Sequence, residues 1–353
     1  MSATGSLPRL RARRLDLGHG RIDLSHGAGG RASAQLIDQI FHPAFDNPIL
    51  AQGNDQAAFD VAAGRMVMST DGYVISPLFF PGGDIGSLAV HGTINDVAMA
   101  GAHPLHIAAG YIIEEGFPLA DLQRIAISMG RAAREAGVAI VTGDTKVVER
   151  GKGDGVFITT TGIGIVPAGI HLGGDRARPG DRVILSGCIG DHGVAIMSLR
   201  NNLGFETEIL SDSAALHGLV ADMVAAAGTS LRLLRDPTRG GLAATLNEIA
   251  QQSGVGLLIE ERAIPVHDAV AAACELLGLD PLTVANEGKL VAVVAAEAAD
   301  ALLGAMRTHP LGREAALIGQ VIVDEQRFVQ MTTSFGGGRI VDWLAGEQLP
   351  RIC

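Results

Sequence analysis

Four aspartates stand in short motifs that set a carboxylate apart from an ordinary solvated charge. They are Asp55 in G-N-D-Q-A, Asp71 in S-T-D-G-Y, Asp96 in N-D-V-A-M and Asp144 in T-G-D-T-K. Asp71 and Asp144 each follow a short apolar run and precede a turn-like sequence, so both are expected at strand ends. Asp96 lies in a segment from Ile85 to about Ala100 that carries Leu88, Val90, Ile94, Val97 and Met99. A helix apolar on nearly every side is a buried helix. A carboxylate inside one is costly unless it is paired or meets a cation. Magnesium takes oxygen ligands and is usually shared with substrate phosphates. Asp55, Asp71, Asp96 and Asp144 therefore form a candidate magnesium set. The competing reading gives them separate roles, as turn, cap and backbone-bonded residues. Spacing alone leans toward that second reading.

Two glycine-rich segments could meet phosphate. Gly27-Ala28-Gly29-Gly30, preceded by His26, leads into a helical pattern and can present backbone N–H groups to an anion. It lacks the Gly-Lys-Ser/Thr of a Walker A loop, and no clear strand precedes it as in a dinucleotide fingerprint. Taken alone it reads as a turn. Arg235-Asp236-Pro237-Thr238-Arg239-Gly240-Gly241 opens a second helix, combining a helix N-terminus, a hydroxyl and two arginines. That suits an anion as well. A plain capped helix start, with Asp236 or Thr238 as the cap, suits the same residues.

The last residue is Cys353. Prenylation needs a cysteine four from the end and is excluded. A thiol on a mobile tail can react in one site and then be presented to a partner, and Pro350 limits the conformations lost on docking. Cys188 and Cys274 sit in apolar settings and are expected to be inert core residues. Three widely spaced cysteines make neither a disulfide framework nor a zinc pattern, so a reducing cytoplasm is the expected compartment.

Strands and helices must hold these groups in place. The sequence predicts a helix after the first glycine segment to about Phe41, a strand over Met66–Thr70 and a rigid loop over Pro77–Gly83. Asp84 is a helix N-cap for Ile85 to about Ala100. Asp121–Ala136 is an amphipathic helix with Leu122, Ile125, Met129 and Ala132 or Ala133 inward. Val138–Val141 and Val156–Ile165 read as strands. Gly, Asp, Arg and Pro cluster at Gly173–Gly180, where a domain boundary is expected. Beyond it come a strand at Val183–Ser186, a helix at Gly240–Ser253, strands at Val255–Ile259 and Lys289–Val294, and a helix at Ala296–Arg307. The fold class is therefore α+β, with α and β elements layered in both halves. The expected organisation is an arginine-rich, disordered arm over 1–20, a first domain over 21–175, a second over 176–345 and a mobile tail over 346–353.

Hydrophobic residues make up 47 % of the 353-residue chain, a globular composition. A formal net charge of −11 argues against nucleic acid or an anionic membrane as a partner. No apolar run approaches the length of a membrane span.

With these residues in view, the chain resembles the hydrogenase maturation factor HypE family. That family belongs to a superfamily of ATP-using enzymes with aminoimidazole ribonucleotide synthetase and selenophosphate synthetase. The resemblance runs from about Leu24 and rests on S-H-G-A-G-G (Ser25–Gly30), S-T-D-G-Y-V-I-S-P-L-F-F-P-G-G-D-I-G (Ser69–Gly86) and N-D-V-A (Asn95–Ala98). It continues through V-T-G-D-T-K-V-V (Val141–Val148), R-D-P-T-R-G-G-L (Arg235–Leu242), A-N-E-G-K-L (Ala285–Leu290) and P-R-I-C (Pro350–Cys353). It implies the two-domain aminoimidazole ribonucleotide synthetase-like fold with a flexible C-terminal tail. It also implies ATP and Mg2+ as cofactors, and a homodimer formed through the first domain. The implied reaction is ATP-dependent dehydration of a carbamoyl group on Cys353 to a thiocyanate. A HypF-type carbamoyltransferase loads the thiol, and the cyanide passes to iron on a HypC–HypD pair for a nickel–iron hydrogenase. In this scheme Glu287 is the candidate base and Lys146 stabilises the transferring phosphoryl group or the developing oxyanion. Asp96 acts with Asp55, Asp71 and Asp144 at the metal, and His26, Gly27, Gly29, Gly30, Thr145, Thr238, Arg239 and Gly240 line the nucleotide site. A selenophosphate synthetase would need a cysteine or selenocysteine near the N-terminal glycines, and no cysteine precedes Cys188. A non-catalytic scaffold that carries a cyano group is the rival from another class.

Overall fold

The computed structural model of the chain describes residues 14–28, 30–52, 54, 56–201, 209–343 and 349–353. Asp55 and Gly29 lie outside the described residues, as does the arm before residue 14. The first half is built on strands β1 (Arg65–Tyr73), β2 (His103–Glu114), β3 (Ala139–Val148) and β4 (Val156–Val166). They lie in the order β1-β4-β2-β3. Both β1 and β2 run antiparallel to β4, while β3 is parallel to β2. Parallel neighbours need a crossover, and an amphipathic helix supplies it. Helix α1 (Ile85–Met99) precedes β2, and α2 (Leu119–Glu135) makes that crossover. The inward face of α2 buries Leu122, Ile125, Met129, Ala132 and Ala133, the stripe its periodicity specifies.

Asp84 caps α1 as its sequence suggests. Its carboxylate accepts from the Gly86 and Ser87 amides, and the Ser87 hydroxyl accepts from the Asp84 amide. The helix lies close on β4, where Gly162 makes room: a Cβ there would meet the Thr93 methyl at 2.7 Å.

The second half carries a seven-stranded sheet. Its strands are β5 (Arg182–Leu185), β6 (Leu231–Arg235), β7 (Gly256–Glu260), β8 (Val291–Val294), β9 (Ala316–Ile322), β10 (Val329–Thr332) and β11 (Gly338–Val341). The order is β11-β10-β7-β9-β5-β8-β6, with only the β7–β10 pair parallel. Among the described residues five α-helices accompany it: α3 (Asp191–Arg200), α4 (His217–Ala227), α5 (Gly241–Ser253), α6 (Asp268–Leu277) and α7 (Ala299–Thr308). Leu242, Leu246 and Ile249 of α5 cover one face of the sheet. Leu219 of α4 and Leu302 of α7 cover the other, joined by Ala98 of α1. The layered α/β architecture expected of both halves is present.

Three expectations change. Neither Asp71 nor Asp144 ends a strand, because β1 continues to Tyr73 and β3 to Val148. Gly143 marks close strand approach rather than a turn: a Cβ there would lie 2.4 Å from the Ala109 carbonyl oxygen, next to a register shift in β2. Residues 14–20, assigned to a disordered arm, are held. Leu15 and Leu17 pack on the first core, and the Leu15 amide donates to Gln39. The end of the tail is docked as well. Leu349 and Ile352 join the first core together with Val194 and Ile196 of α3 and Val270 and Ala273 of α6.

Ile125 and Ile127 give a direct test of the α2 packing. Ile125 is fully buried, while Ile127 is 53 % exposed on the same helix. Ile125→Ala should lower the urea-unfolding free energy by about 2–5 kcal/mol through the cavity it leaves. Ile127→Ala should change it by no more than about 0.5 kcal/mol.

Candidate active site

Both halves contribute carboxylates to one place. Asp96, on α1, accepts from the Ser69 hydroxyl of β1 at 2.6 Å. Asp71, two residues along β1, lies within hydrogen-bonding reach of Asp96. Its own carboxylate accepts from the Tyr73 hydroxyl at 3.3 Å. Asp236 follows β6, and Glu287 lies on the segment before β8; Asp236 feels the charge of Asp71, and Glu287 those of Asp71 and Asp96. Burial, then Asp236, then Asp71 push the Asp96 carboxyl up to about 7. Burial first, and Asp71 among its neighbours, raise Asp236 to about 6. Glu287 is buried and pushed well above the usual carboxylate range by desolvation and by Asp212, Asp236, Asp71 and Asp96. Its Oε1 has no hydrogen-bond partner among the described residues. A cavity of about 310 Å³ opens beside Asp96 and Asp236. An orphaned buried oxygen among crowded carboxylates is a donor set that fits a hard divalent cation.

Backbone contacts fix Glu287. Asp212 accepts from the Glu287 and Gly288 amides and from Lys289 Nζ at 3.0 Å. Asn95, in the N-D-V-A motif, donates to the carbonyls of Ala214 and Glu287 and accepts from the Leu216 amide. The Asn286 amide group donates to the Pro237 carbonyl and ties the Asp236 loop to Glu287. Thr238 and Gly240 belong to that loop, and the exposed Arg239 lies between them.

The tail lies along the segment that follows β1. The Val74 amide donates to the Cys353 carbonyl oxygen at 3.1 Å, and the Ser76 amide to the Arg351 carbonyl at 3.2 Å. From the other half, His192 Nε2 donates to the Ile352 carbonyl at 2.8 Å. The same ring accepts from Ser211, and full burial keeps it neutral by lowering its pKa. Arg200 donates to the carbonyls of Ser76, Pro350 and Arg351. Arg351 donates to the Val74 carbonyl and pairs with Asp154. Cys353 is thereby held one residue from Tyr73, whose hydroxyl reaches Asp71.

The glycine segment faces a different cavity. His26 and Gly27 share about 410 Å³ with Thr142, Asp144, Thr145 and Lys146, walled by apolar side chains including Leu36, Phe41 and Ile140. Gly30 is the N-cap of the helix that follows, and that helix contributes to the same wall. Gly27 has to be glycine, since a Cβ would meet the Val147 amide nitrogen at 2.6 Å. Asp144 is exposed and pairs with Lys146 at 2.7 Å, which holds its carboxyl below the usual range. Strand register puts Asp71 in one row with Thr160, Ala109 and Gly143, and Asp144 in the next row. Asp71 and Asp144 are thus three strand spacings apart, roughly 14 Å. Within one chain Asp144 does not join Asp71 and Asp96; Asp236 and Glu287 do. Sequence reasoning took Asp236 only as a helix cap. It missed Asp212, His192 and Arg200, which stand in no recognisable motif.

This two-sheet architecture is one for which family models exist. The N-terminal domain of AIR synthase related proteins matches residues 53–166, and the C-terminal domain of the same group matches residues 178–331. The chain is an AIR synthase related protein. Carbamoyl dehydratase HypE of Rhizobium leguminosarum bv. viciae is 74 % identical over 341 residues, covering 97 % of each chain. A solved hydrogenase maturation protein HypE in complex with ATP matches with a TM-score of 0.90 and 51 % identity, covering 94 % of this chain and 99 % of that one. HypE in a HypE–HypF complex matches with a TM-score of 0.77 and 48 % identity, covering 88 % of this chain and 99 % of that one. The chain belongs to the HypE family of carbamoyl dehydratases, enzymes of hydrogenase maturation.

The crowded carboxylates give a pH signature. Their folded pKa values, about 7 for Asp96 and about 6 for Asp236, lie above the ordinary value of 3.8. Between those limits the folded state binds more protons than the unfolded state, so stability falls as pH rises. Chemical denaturation of metal-free protein should show that decline between about pH 4 and pH 7. Asp96→Asn should flatten it, and added magnesium should restore stability at pH 7. A profile that rises with pH through this window would contradict the arrangement.

Proposed function

We propose that the chain binds ATP and Mg2+ and dehydrates a carbamoyl group on the Cys353 sulfur to a thiocyanate, for the cyanide ligand of a nickel–iron hydrogenase. The observation that carries this reading is the docked tail. It seats Cys353 on Val74, just past the end of β1, the strand that carries Asp71, and Glu287 Oε1 has no hydrogen-bond partner among the described residues.

In this reading the carbamoyl oxygen attacks the γ-phosphorus, ADP leaves, and the nitrogen gives up a proton. Loss of the second nitrogen proton expels phosphate and leaves S–C≡N. ATP and the thiocarbamate yield ADP, phosphate, thiocyanate and one net proton. Glu287 accepts a nitrogen proton; crowding by other carboxylates makes its anion a stronger base than an ordinary glutamate. Asp71, Asp96 and Asp236 are the groups that fit magnesium, with Asp55 a further candidate outside the described residues, which leaves Glu287 free to act as the base. Magnesium would supply charge neutralisation for the phosphates. His26, Gly27 and the Thr142–Lys146 run offer ATP a cavity with an apolar wall and a polar rim, where Lys146 and Thr145 meet phosphate. Gly29, Gly30, Thr238, Arg239 and Gly240 complete this assignment as phosphate-facing positions at helix starts.

A HypF-type carbamoyltransferase is the partner that loads Cys353, in line with the HypE relative solved with HypF. A HypC–HypD pair is the acceptor of the cyano group. A homodimer accounts for the apolar surface on the first half: Met66 is 49 %, Met68 72 % and Ile112 45 % exposed on the sheet. Asp144 lies exposed on that sheet too, where a second copy can bring it to another cluster. No helix among the described residues is long and apolar enough to cross a membrane. A sulfur that must stay a thiol until it is loaded suits the cytoplasm.

Two measurements test this. Mass spectrometry of the tail peptide, after incubation with the HypF-type donor system and ATP, should show carbamoyl and then cyano additions in the parent protein. Glu287→Gln should keep the carbamoyl adduct and ATP binding but yield no cyano product, and Cys353→Ser should acquire neither. Cyano product at the parental level in Glu287→Gln would remove Glu287 as the base. For the dimer, Met68→Glu should halve the mass in sedimentation velocity while the fold is retained.

A further inference from the structure

We propose that Cys188, His267 and Glu314 form a zinc-class metal site in the second half, separate from the carboxylate cluster. Cys188 lies between β5 and α3, His267 is the N-cap of α6, and Glu314 precedes β9. One ligand atom from each lies within 4.8 Å of the other two. His267 Nε2 and Glu314 Oε1 are 3.5 Å apart. Two ligands at ~2.0–2.1 Å from a tetrahedral metal stand about 3.3–3.4 Å from each other. Thiolate, imidazole and carboxylate together select zinc or cobalt over magnesium or calcium.

A second, independent feature points the same way. Asp191 Oδ1 is 2.9 Å from His267 Nδ1. That contact places a proton on Nδ1 and aims Nε2 at Glu314 and Cys188, the carboxylate–histidine pairing that supports metal ligands. Cys188 is 5 % exposed, whereas the His267 and Glu314 side chains are about half exposed. The site is therefore closed on the sulfur side and open to water at a fourth position. A dication also meets opposite charge here, from the thiolate, Glu314 and Asp191, while the nearby Lys289 is already paired with Asp212. Metal binding forms bonds to sulfur, Nε2 and a carboxylate oxygen. It releases the Cys188 thiol proton and the Nε2 proton of the charged imidazole, with no change of oxidation state.

Spacings of 188, 267 and 314 give no sequence pattern, which is why Cys188 read as an inert core residue and the cysteines as no zinc pattern. A metal here would tie three loops together at the first turn of α3. The next residue on that turn, His192, holds the Ile352 carbonyl, so the site would stiffen one wall of the tail dock.

The test uses the full chain carrying Cys353→Ser, stripped of metal and titrated with cobalt in excess magnesium. The magnesium fills the oxygen-only cluster, which in any case has no sulfur. One equivalent of cobalt should produce a thiolate-to-cobalt charge-transfer band in the near ultraviolet, and zinc should abolish it. Cys188→Ser should remove the band. His267→Gln and Glu314→Gln, at half-exposed positions that tolerate substitution, should keep a sulfur band but weaken cobalt at least about tenfold. Absence of a sulfur band at one equivalent, its survival in Cys188→Ser, or unchanged affinity in both half-exposed variants would overturn the proposal.

Discussion

Everything at the centre of this molecule depends on the cost of crowding three partly buried carboxylates, Asp71, Asp96 and Asp236, around the buried Glu287. They come from a strand and a helix of the first half and two loops of the second, and among the described residues Arg235 is the one cation acting on Asp236. Lys289, on the segment that carries Glu287, rests on Asp212 instead. Protons answer part of the repulsion, which is why Asp96 and Asp236 titrate near neutrality. Apolar residues of similar volume would make a more stable junction. Keeping the carboxylates marks the junction as a candidate functional site.

The neighbouring contacts are arranged around that cost. Asn95 joins α1 to the Glu287 backbone and to the loop before α4, while Asp212 gathers the amides of Glu287 and Gly288. Gly288 has no alternative, since a Cβ would lie 1.8 Å from the Asp212 carbonyl oxygen. Buried polar groups that satisfy one another in this way fix a single geometry. The Glu287 side chain is the exception, its Oε1 having no hydrogen-bond partner among the described residues.

Much of the fold was legible in the sequence because burial imposed periodicity. The α2 stripe, the Asp84 cap and the strands at 156–166 and 256–260 follow from apolar spacing and capping chemistry. The all-apolar character of α1 pointed correctly to Asp96 as an unusual carboxylate. Strand ends were misjudged at Asp71 and Asp144, because a glycine that permits close strand approach looks like a glycine that permits a turn. The site was legible only where residues sit in motifs. Asp212, His192 and Arg200 act through contacts spanning as many as 160 residues, and no local pattern encodes such a partnership. Asp144 and Asp71 looked equivalent as aspartates, yet sheet register separates them.

Under the proposed function the tail has to meet two requirements that conflict: a carrier must be held to react and must leave to be loaded and unloaded. Burying Ile352 contributes about 1.5–3 kcal/mol, and each hydrogen bond a net ~0.5–1.5 kcal/mol. Against this stand the ordering of each backbone residue, about 1–2 kcal/mol, and the left-handed Arg351, at φ 53°, for roughly another 1–2 kcal/mol. The opposing terms are similar in size, so docking and release can both occur at equilibrium. The choice of contacts matters as much as their strength. Arg200, His192, Val74 and Ser76 bond the carbonyl oxygens of Pro350, Arg351, Ile352 and Cys353. These contacts fix the main chain of the last four residues against both halves at once: Val74 and Ser76 belong to the first half, His192 and Arg200 to the second.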